Sequence, residues 1–162
     1  MIILGLDPGL NKTGFGIIKL QNNTNIYIAS GIINSSKYID NNKLGNIVTQ
    51  LKKIIEEYKP NYCSIENFFF SKHIRSIMQL SQARGACVGT VSSFGIRIDS
   101  YSPKTVKKVI TGNGNSTKNI VQEFTYKHLN ISGKSISYDS SDALAIALTH
   151  SFTFNSTLIT AR

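Results

Sequence analysis

The chain has few of the residues that staple or metallate small domains: two cysteines and three histidines in 162 residues. Cys63 and Cys87 are far apart in sequence, match neither a disulfide framework nor a zinc spacing, and sit in apolar surroundings, so they read as reduced core thiols. No His/Cys set is present to hold zinc. Long apolar runs are also missing. Met1–Leu6 is too short for a signal peptide and lacks a basic leader, and nothing approaches the ~18 residues needed to span a bilayer. The expectation is a soluble, cytoplasmic protein with no membrane partner. Repeats and low-complexity tracts are absent too. At this length a chain buries roughly two-thirds of its unfolded surface, enough for one core. A single domain is expected over 1–152, with 153–162 as a flexible C-terminal tail.

Acidic residues are the other scarcity, nine against 18 Lys and Arg, for a formal charge of +9. Asp40, Glu56, Glu57, Asp99 and Glu123 have no apolar setting. Asp7, Glu66, Asp139 and Asp142 do, each at the end of an apolar strand-like run or the start of a helix. A charge set against a core is unfavourable by several kcal/mol unless it is paired or bound to a cation, so four of them call for a divalent metal. With those four neutralised, 18 basic residues face five acids, which is a polyanion-binding balance. The bland alternative is a generic basic protein with scattered lysines.

Residues 2–7 form a nearly all-apolar run, and Pro8-Gly9 breaks it so that Asp7 lies at a strand end. Phe15–Leu20 and Asn25–Ile33 are β-branched and aromatic runs separated by Gln21–Thr24, which predicts a hairpin and an antiparallel trio. Ile39, Leu44, Ile47, Val48, Leu51, Ile54, Ile55 and Tyr58 recur at helical spacing up to Pro60. Tyr62–Glu66 is a second strand ending in a carboxylate. Ile74 to about Ser93 predicts a helix rich in small residues, and Ile96–Tyr101 a fifth strand. Ser102-Pro103 caps a short helix through Ile110, and Ser116 is placed to cap a helix ending at His128. Asp139 opens the last helix. Three strands and a helix, followed by strands alternating with helices, predict an α/β domain. Its mixed sheet has an antiparallel first trio, and strands one and four lie side by side. That adjacency brings Asp7 and Glu66 together at the edge where open α/β sheets place ligands.

Asp139 and Asp142, three residues apart, share a helix face. For an isolated pair, capping and the positive helix end explain Asp-x-x-Asp equally well, and a strand-end Asp before Pro-Gly is ordinarily a turn residue. The conjunction of all four weighs more. Oxygen donors on strand ends and one helix suit Mg²⁺ or Mn²⁺. Two such ions ~4 Å apart can hold the attacking and leaving oxygens of an in-line displacement at phosphorus, which with the basic balance points to a nucleic-acid phosphodiester.

Several blocks, in order, resemble one family: Ile2–Gly9 with Thr13-Gly14-Phe15-Gly16; Ile65-Glu66 followed by Phe69; Gln82-Ala83-Arg84-Gly85; and Asp139–Ala147. They are similar to the RuvC Holliday junction resolvases, ribonuclease H-like nucleases, over residues 1 to about 150. The resemblance implies a ribonuclease H-like three-layer fold with a five-stranded mixed sheet flanked by helices. It identifies Asp7, Glu66, Asp139 and Asp142 as the catalytic metal-binding carboxylates of a site holding two Mg²⁺ ions, with Mn²⁺ substituting and Asp7 bridging the pair. It implies that activated water attacks phosphorus, leaving 5′-phosphate and 3′-hydroxyl ends. It further implies a homodimer that nicks two opposing strands of a four-way junction during recombination and repair, working with a branch-migration helicase. The helix over 74–93 is the candidate dimer face, with close packing on the sheet as the alternative.

Phe69 matches the family's loop aromatic that stacks on a base, though the triplet Phe68-Phe69-Phe70 would equally suit a core. Lys104, Lys107 and Lys108 share one helix face, and Lys107 and Lys118 fall where the family carries basic residues beside its site. Arg75, Lys104 and Lys108 complete the candidate DNA contacts. Ser140-Ser141 replaces the usual alanines, Asn67 the usual Gln and His73 a common Asn, while His73 and His150 read as surface or packing residues. Three rivals remain in view. The Asp7-Pro8-Gly9 turn resembles the first phosphate loop of actin-type and sugar-kinase ATPases, but the chain has no room for their second domain. A ribonuclease H-like family linked to ribosomal RNA maturation shares the first turn but not the Gln82–Gly85 and Asp139–Ala147 blocks. A basic junction-binding module with structural carboxylates would bind and not cut.

Overall fold

In the computed structural model the described residues are 1–67, 74–132 and 136–160, with the backbone alone at 40, 41 and 155–160. Strand β1 (Ile2–Asp7) is buried along its middle, as its unbroken apolar run requires of a strand covered on both faces. Strands β2 (Lys12–Gln21) and β3 (Thr24–Asn34) follow as a hairpin. Its two-residue turn places Asn22 and Asn23 at φ 50° and 61°, a left-handed conformation that asparagine tolerates and that matches the twist of the paired strands. Helix α1 (Asp40–Tyr58) ends at Lys59, whose left-handed backbone returns its N–H to the Ile55 carbonyl just before Pro60. Strand β4 (Tyr62–Glu66), helix α2 (Ile74–Ser93) and strand β5 (Arg97–Tyr101) come next.

The sheet order is β3-β2-β1-β4-β5. The first three strands pair antiparallel with one another, whereas β4 runs parallel to β1, and β5 parallel to β4. Leu6 pairs with Ile65, so Asp7 and Glu66 emerge together at one edge of the sheet, as their sequence positions predict.

Helices α3 (Pro103–Thr111), α4 (Lys118–His128) and α5 (Tyr138–Thr160) complete the chain. One face of the sheet carries α1 and α2 over a core of Leu4, Leu6, Ile47, Leu51, Ile65 and Val91. The other carries α3, α4 and α5 over Ile3, Ile18, Val106, Val121, Leu144 and Leu148. The result is the expected three-layer α/β arrangement. Cys63 and Cys87 are both free and fully buried in the first core. Among the described residues no helix is long and apolar enough to cross a membrane.

Three local features bear on the sequence reading. Thr117, not Ser116, is the residue preceding α4; Ser116 is buried and its hydroxyl bonds the Thr111 hydroxyl at 2.7 Å, so it is committed to the preceding turn. Ser137 accepts from the Ser140 N–H at the start of α5, which leaves the Asp139 carboxylate uncommitted to capping. And α5 continues to Thr160, through the segment from 153 onward read as a tail. Phe152 packs on the second core, and the Phe154 ring lies 5.4 Å from that of Tyr62. His150 is a packing residue: it is buried beside Tyr62, with Nδ1 3.0 Å from the Tyr101 hydroxyl.

Candidate active site

Two glycines determine how closely α5 approaches the sheet. A Cβ on Gly5 would fall 2.0 Å from the Ala143 carbonyl oxygen, and one on Gly14 would fall 2.1 Å from that of Asp139. Gly14 is the register partner of Asp7. Bare backbone at these positions therefore seats the first turn of α5, with Asp139 and Asp142, against the strand end that carries Asp7. The turn after β1 is closed by Thr13, whose hydroxyl donates to the Gly9 carbonyl at 2.9 Å.

Asp7, Glu66, Lys107, Lys118 and Asp142 line one cleft of about 260 Å³, walled by Pro103, Val106, Val121, Ala145 and Ile146. The apolar wall and the crowding of like charge leave their mark on proton affinity. Burial, together with repulsion from Glu66, Asp142 and Asp139, pushes Asp7 up to about 8 from its ordinary 3.8, against an opposing pull from Lys118. Glu66 is pushed up to about 7 from 4.5, chiefly by burial and then by Asp142, with Lys118 and Lys107 opposing. The Lys118 ammonium lies 2.9 Å from Asp142 Oδ2, and that hydrogen bond raises its own proton affinity. Near neutral pH the site thus retains protons, and Lys118 holds a cation against one of its carboxylates.

Such a donor set fits a divalent ion. It consists of hard carboxylate oxygens, two of them holding protons at a pH where an exposed carboxylate would be ionised, beside a lysine already placed as a cation. Among the described residues no three acidic, histidine or cysteine side chains converge tightly enough to form a ligand cluster. The carboxylates surround the cleft rather than meeting at a point.

The remaining expected residues are distributed unevenly. Asp139 acts on Asp7 electrostatically but does not line the cleft. Lys104 and Lys108 are on the exposed side of α3, outside it, and the Lys104 stem passes over Gly114. Arg75 is exposed on the first turn of α2, also outside the cleft. Phe69 and His73 lie outside the described residues. The apolar lining residues Pro103, Val106, Val121, Ala145 and Ile146 were not anticipated as part of a site, because locally they are ordinary helix-core positions. Arg84, noted only as part of a sequence block, hydrogen-bonds to the end of β4.

Residues 3–150 match the family model described as crossover junction endodeoxyribonuclease RuvC. A protein of that name from Wigglesworthia glossinidia brevipalpis is 42% identical over 154 residues, 95% of each chain. One from Ehrlichia canis is 38% identical over 156 residues, covering 96% of this chain and 99% of the relative. Among solved structures, Thermus thermophilus RuvC superposes with a TM-score of 0.88, and the same protein in complex with a Holliday junction substrate with 0.90. Both are 23% identical and cover 97% of this chain, and they show that the fold is ribonuclease H-like. The chain belongs to the RuvC family of crossover junction endodeoxyribonucleases.

Proposed function

We propose that this chain resolves four-way DNA junctions by metal-dependent hydrolysis at the cleft described above. The observation that carries the reading is the cleft itself, where Asp7, Glu66 and Asp142 face Lys107 and Lys118 at the edge of the sheet. Asp7, Glu66, Asp139 and Asp142 are the residues that would hold divalent ions, Mg²⁺ first and Mn²⁺ in its place, two per site. Bound there, the ions would activate water and stabilise charge on the scissile phosphate.

The protein's own groups have separable tasks. Asp7 and Glu66, whose proton affinity is raised by burial and by the neighbouring carboxylates, would give up those protons on holding a cation. Lys107 and Lys118 supply phosphate contacts beside the reacting group, Lys118 with the N–H donors left over from its bond to Asp142. Phe69 is the proposed base-stacking residue, with Arg75, Lys104 and Lys108 as outer phosphate contacts.

Self-association through α2 supplies the second site needed for paired cuts. Ile74 and Met78 are 75% and 59% exposed on this helix, and Gly85 and Gly89 have nothing within 4 Å of where a Cβ would stand. An apolar, small-residue face of this kind is complementary to a second copy. The single nuclease domain, its cytoplasmic location and cooperation with a branch-migration helicase complete the proposal.

The test is cleavage of a synthetic four-way junction in Mg²⁺, beside a linear duplex and a structured RNA of equal length. Paired symmetric nicks in the junction alone are expected. Preferential cutting of RNA would favour a ribosomal-RNA nuclease, and tight junction binding without cutting would favour a non-catalytic module.

A further inference from the structure

Glu66 is the last residue of β4, paired with Tyr101 of β5, so no strand residue beyond it helps to fix the direction of its carboxylate. The guanidinium of Arg84, on α2, reaches this point from the opposite face of the sheet. Its Nε donates to the Glu66 carbonyl oxygen at 3.3 Å, and its Nη2 donates to Asn67 Oδ1 at 3.0 Å and to the Ser100 hydroxyl at 2.9 Å. The Asn67 N–H in turn donates to the Tyr101 carbonyl at 2.8 Å. One side chain therefore ties the terminal residue of β4 and the residue after it to the neighbouring strand β5. Arg84 can do this because Ala83 beside it is fully buried, which brings α2 down onto the sheet edge.

We infer that Arg84 is a positioning residue: by clamping the Glu66–Asn67 backbone to β5, it holds the Glu66 carboxylate in the cleft in the orientation a metal ion needs. The inference rests on the proposed metal-dependent reading of the cleft and assigns Arg84 no contact with substrate. The guanidinium's planar fork is essential to the arrangement, because its separate N–H groups serve oxygens on two strands at once. A lysine ammonium at the same position has the charge but not the span. Glutamine has neither the reach nor the number of donors.

The test compares wild type with Arg84→Lys, Arg84→Gln, Ser100→Ala and the Arg84→Gln/Ser100→Ala double variant. Mn²⁺ affinity is read by electron paramagnetic resonance, alongside single-turnover junction cutting, junction affinity and melting temperature. Both Arg84 variants are expected to bind Mn²⁺ about tenfold more weakly and to cut at least thirtyfold more slowly, with junction affinity within threefold of wild type. Ser100→Ala should show a smaller effect of the same sign. The double variant should be no worse than Arg84→Gln, because both changes break one clamp. Unchanged Mn²⁺ affinity in the Arg84 variants would overturn the inference, as would full rescue by lysine or a loss of cutting that merely tracks a lowered melting temperature. A wild type that binds no Mn²⁺ overturns the metal-site reading together with the clamp. A wild type that binds and cuts, matched by its Arg84 variants, overturns the clamp alone.

Discussion

Asp7→Asn should stabilise the metal-free protein while removing its activity, and the stabilisation should depend on pH in a defined direction. The folded protein holds the Asp7 proton up to about pH 8, whereas the unfolded chain gives it up near 3.8. Between those values the native state binds more protons than the unfolded one, so wild-type stability falls as pH rises and levels off above 8. Asparagine has no proton to lose. The gap in favour of the variant is therefore near zero at pH 4, widens through the neutral range and is greatest above 8. At ~1.4 kcal/mol per pH unit the full span corresponds to a ceiling of roughly 5–6 kcal/mol. Asp7 is only partly buried, and solvent screening brings the realised gain to about 2–3 kcal/mol. For a chain of this size that is roughly 4–12 °C in melting temperature. The assay is thermal unfolding of both proteins from pH 4 to 9 in EDTA, repeated with saturating Mg²⁺. The ion stabilises only a state that binds it, so Mg²⁺ should narrow or reverse the gap. Parallel melting curves in EDTA across the whole pH range would refute the reasoning, because they would mean that Asp7 is an ordinary exposed carboxylate.

Three further outcomes follow from the same geometry. Lys118→Met removes the ammonium bonded to Asp142, so Mn²⁺ affinity should rise severalfold while single-turnover cutting falls at least tenfold; a fall in both would show that Lys118 does not compete with the ion. Gly14→Ala forces a Cβ onto the Asp139 carbonyl and should destabilise the fold by more than ~3 kcal/mol in denaturant unfolding, as overpacking against backbone does; a neutral effect would mean that α5 is not held against β2 at this point. Gly85→Ala meets open space in the isolated chain and improves helix propensity by up to ~1 kcal/mol. Its monomer should be no less stable than wild type, yet its dimer, measured by sedimentation, should weaken if α2 is the self-association face. An unchanged dimer would move that interface elsewhere.

How much of this was legible in the sequence depends on how far apart the interacting residues are. Strands β1 and β4 follow from uninterrupted local patterns, and each ends in a carboxylate, at β1 just before a Pro-Gly break. That Asp7 and Glu66 lie at neighbouring strand ends also follows from a mixed sheet that sets β1 beside β4, although β2, β3 and α1 intervene in sequence. The course of α5 beyond residue 152 did not, since Phe154 is held by Tyr62, some ninety positions away, and no local signal encodes that contact. Ser116 looked like a helix cap because its chemistry is right, but a bond to the Thr111 hydroxyl, five residues back in the preceding turn, engages it first. Spacing left the lysines of α3 equivalent; the family resemblance singled out Lys107, which lines the cleft while Lys104 and Lys108 do not. Arg84 bonds oxygens 16–18 residues away on two different strands, which periodicity cannot reveal.

The most direct measurement of the central claim is junction binding and cutting by wild type and Asp7→Asn in parallel, with Mg²⁺ titrated from zero. Wild type is expected to nick opposing strands symmetrically in proportion to bound Mg²⁺. Asp7→Asn is expected to bind the junction with affinity within a few-fold of wild type and to cut at less than about a thousandth of its rate, the scale on which loss of a key charge-stabilising group acts. Equal cutting by the two proteins, or cutting by wild type that persists undiminished in EDTA, would contradict the assignment of this cleft as a metal-dependent nuclease site.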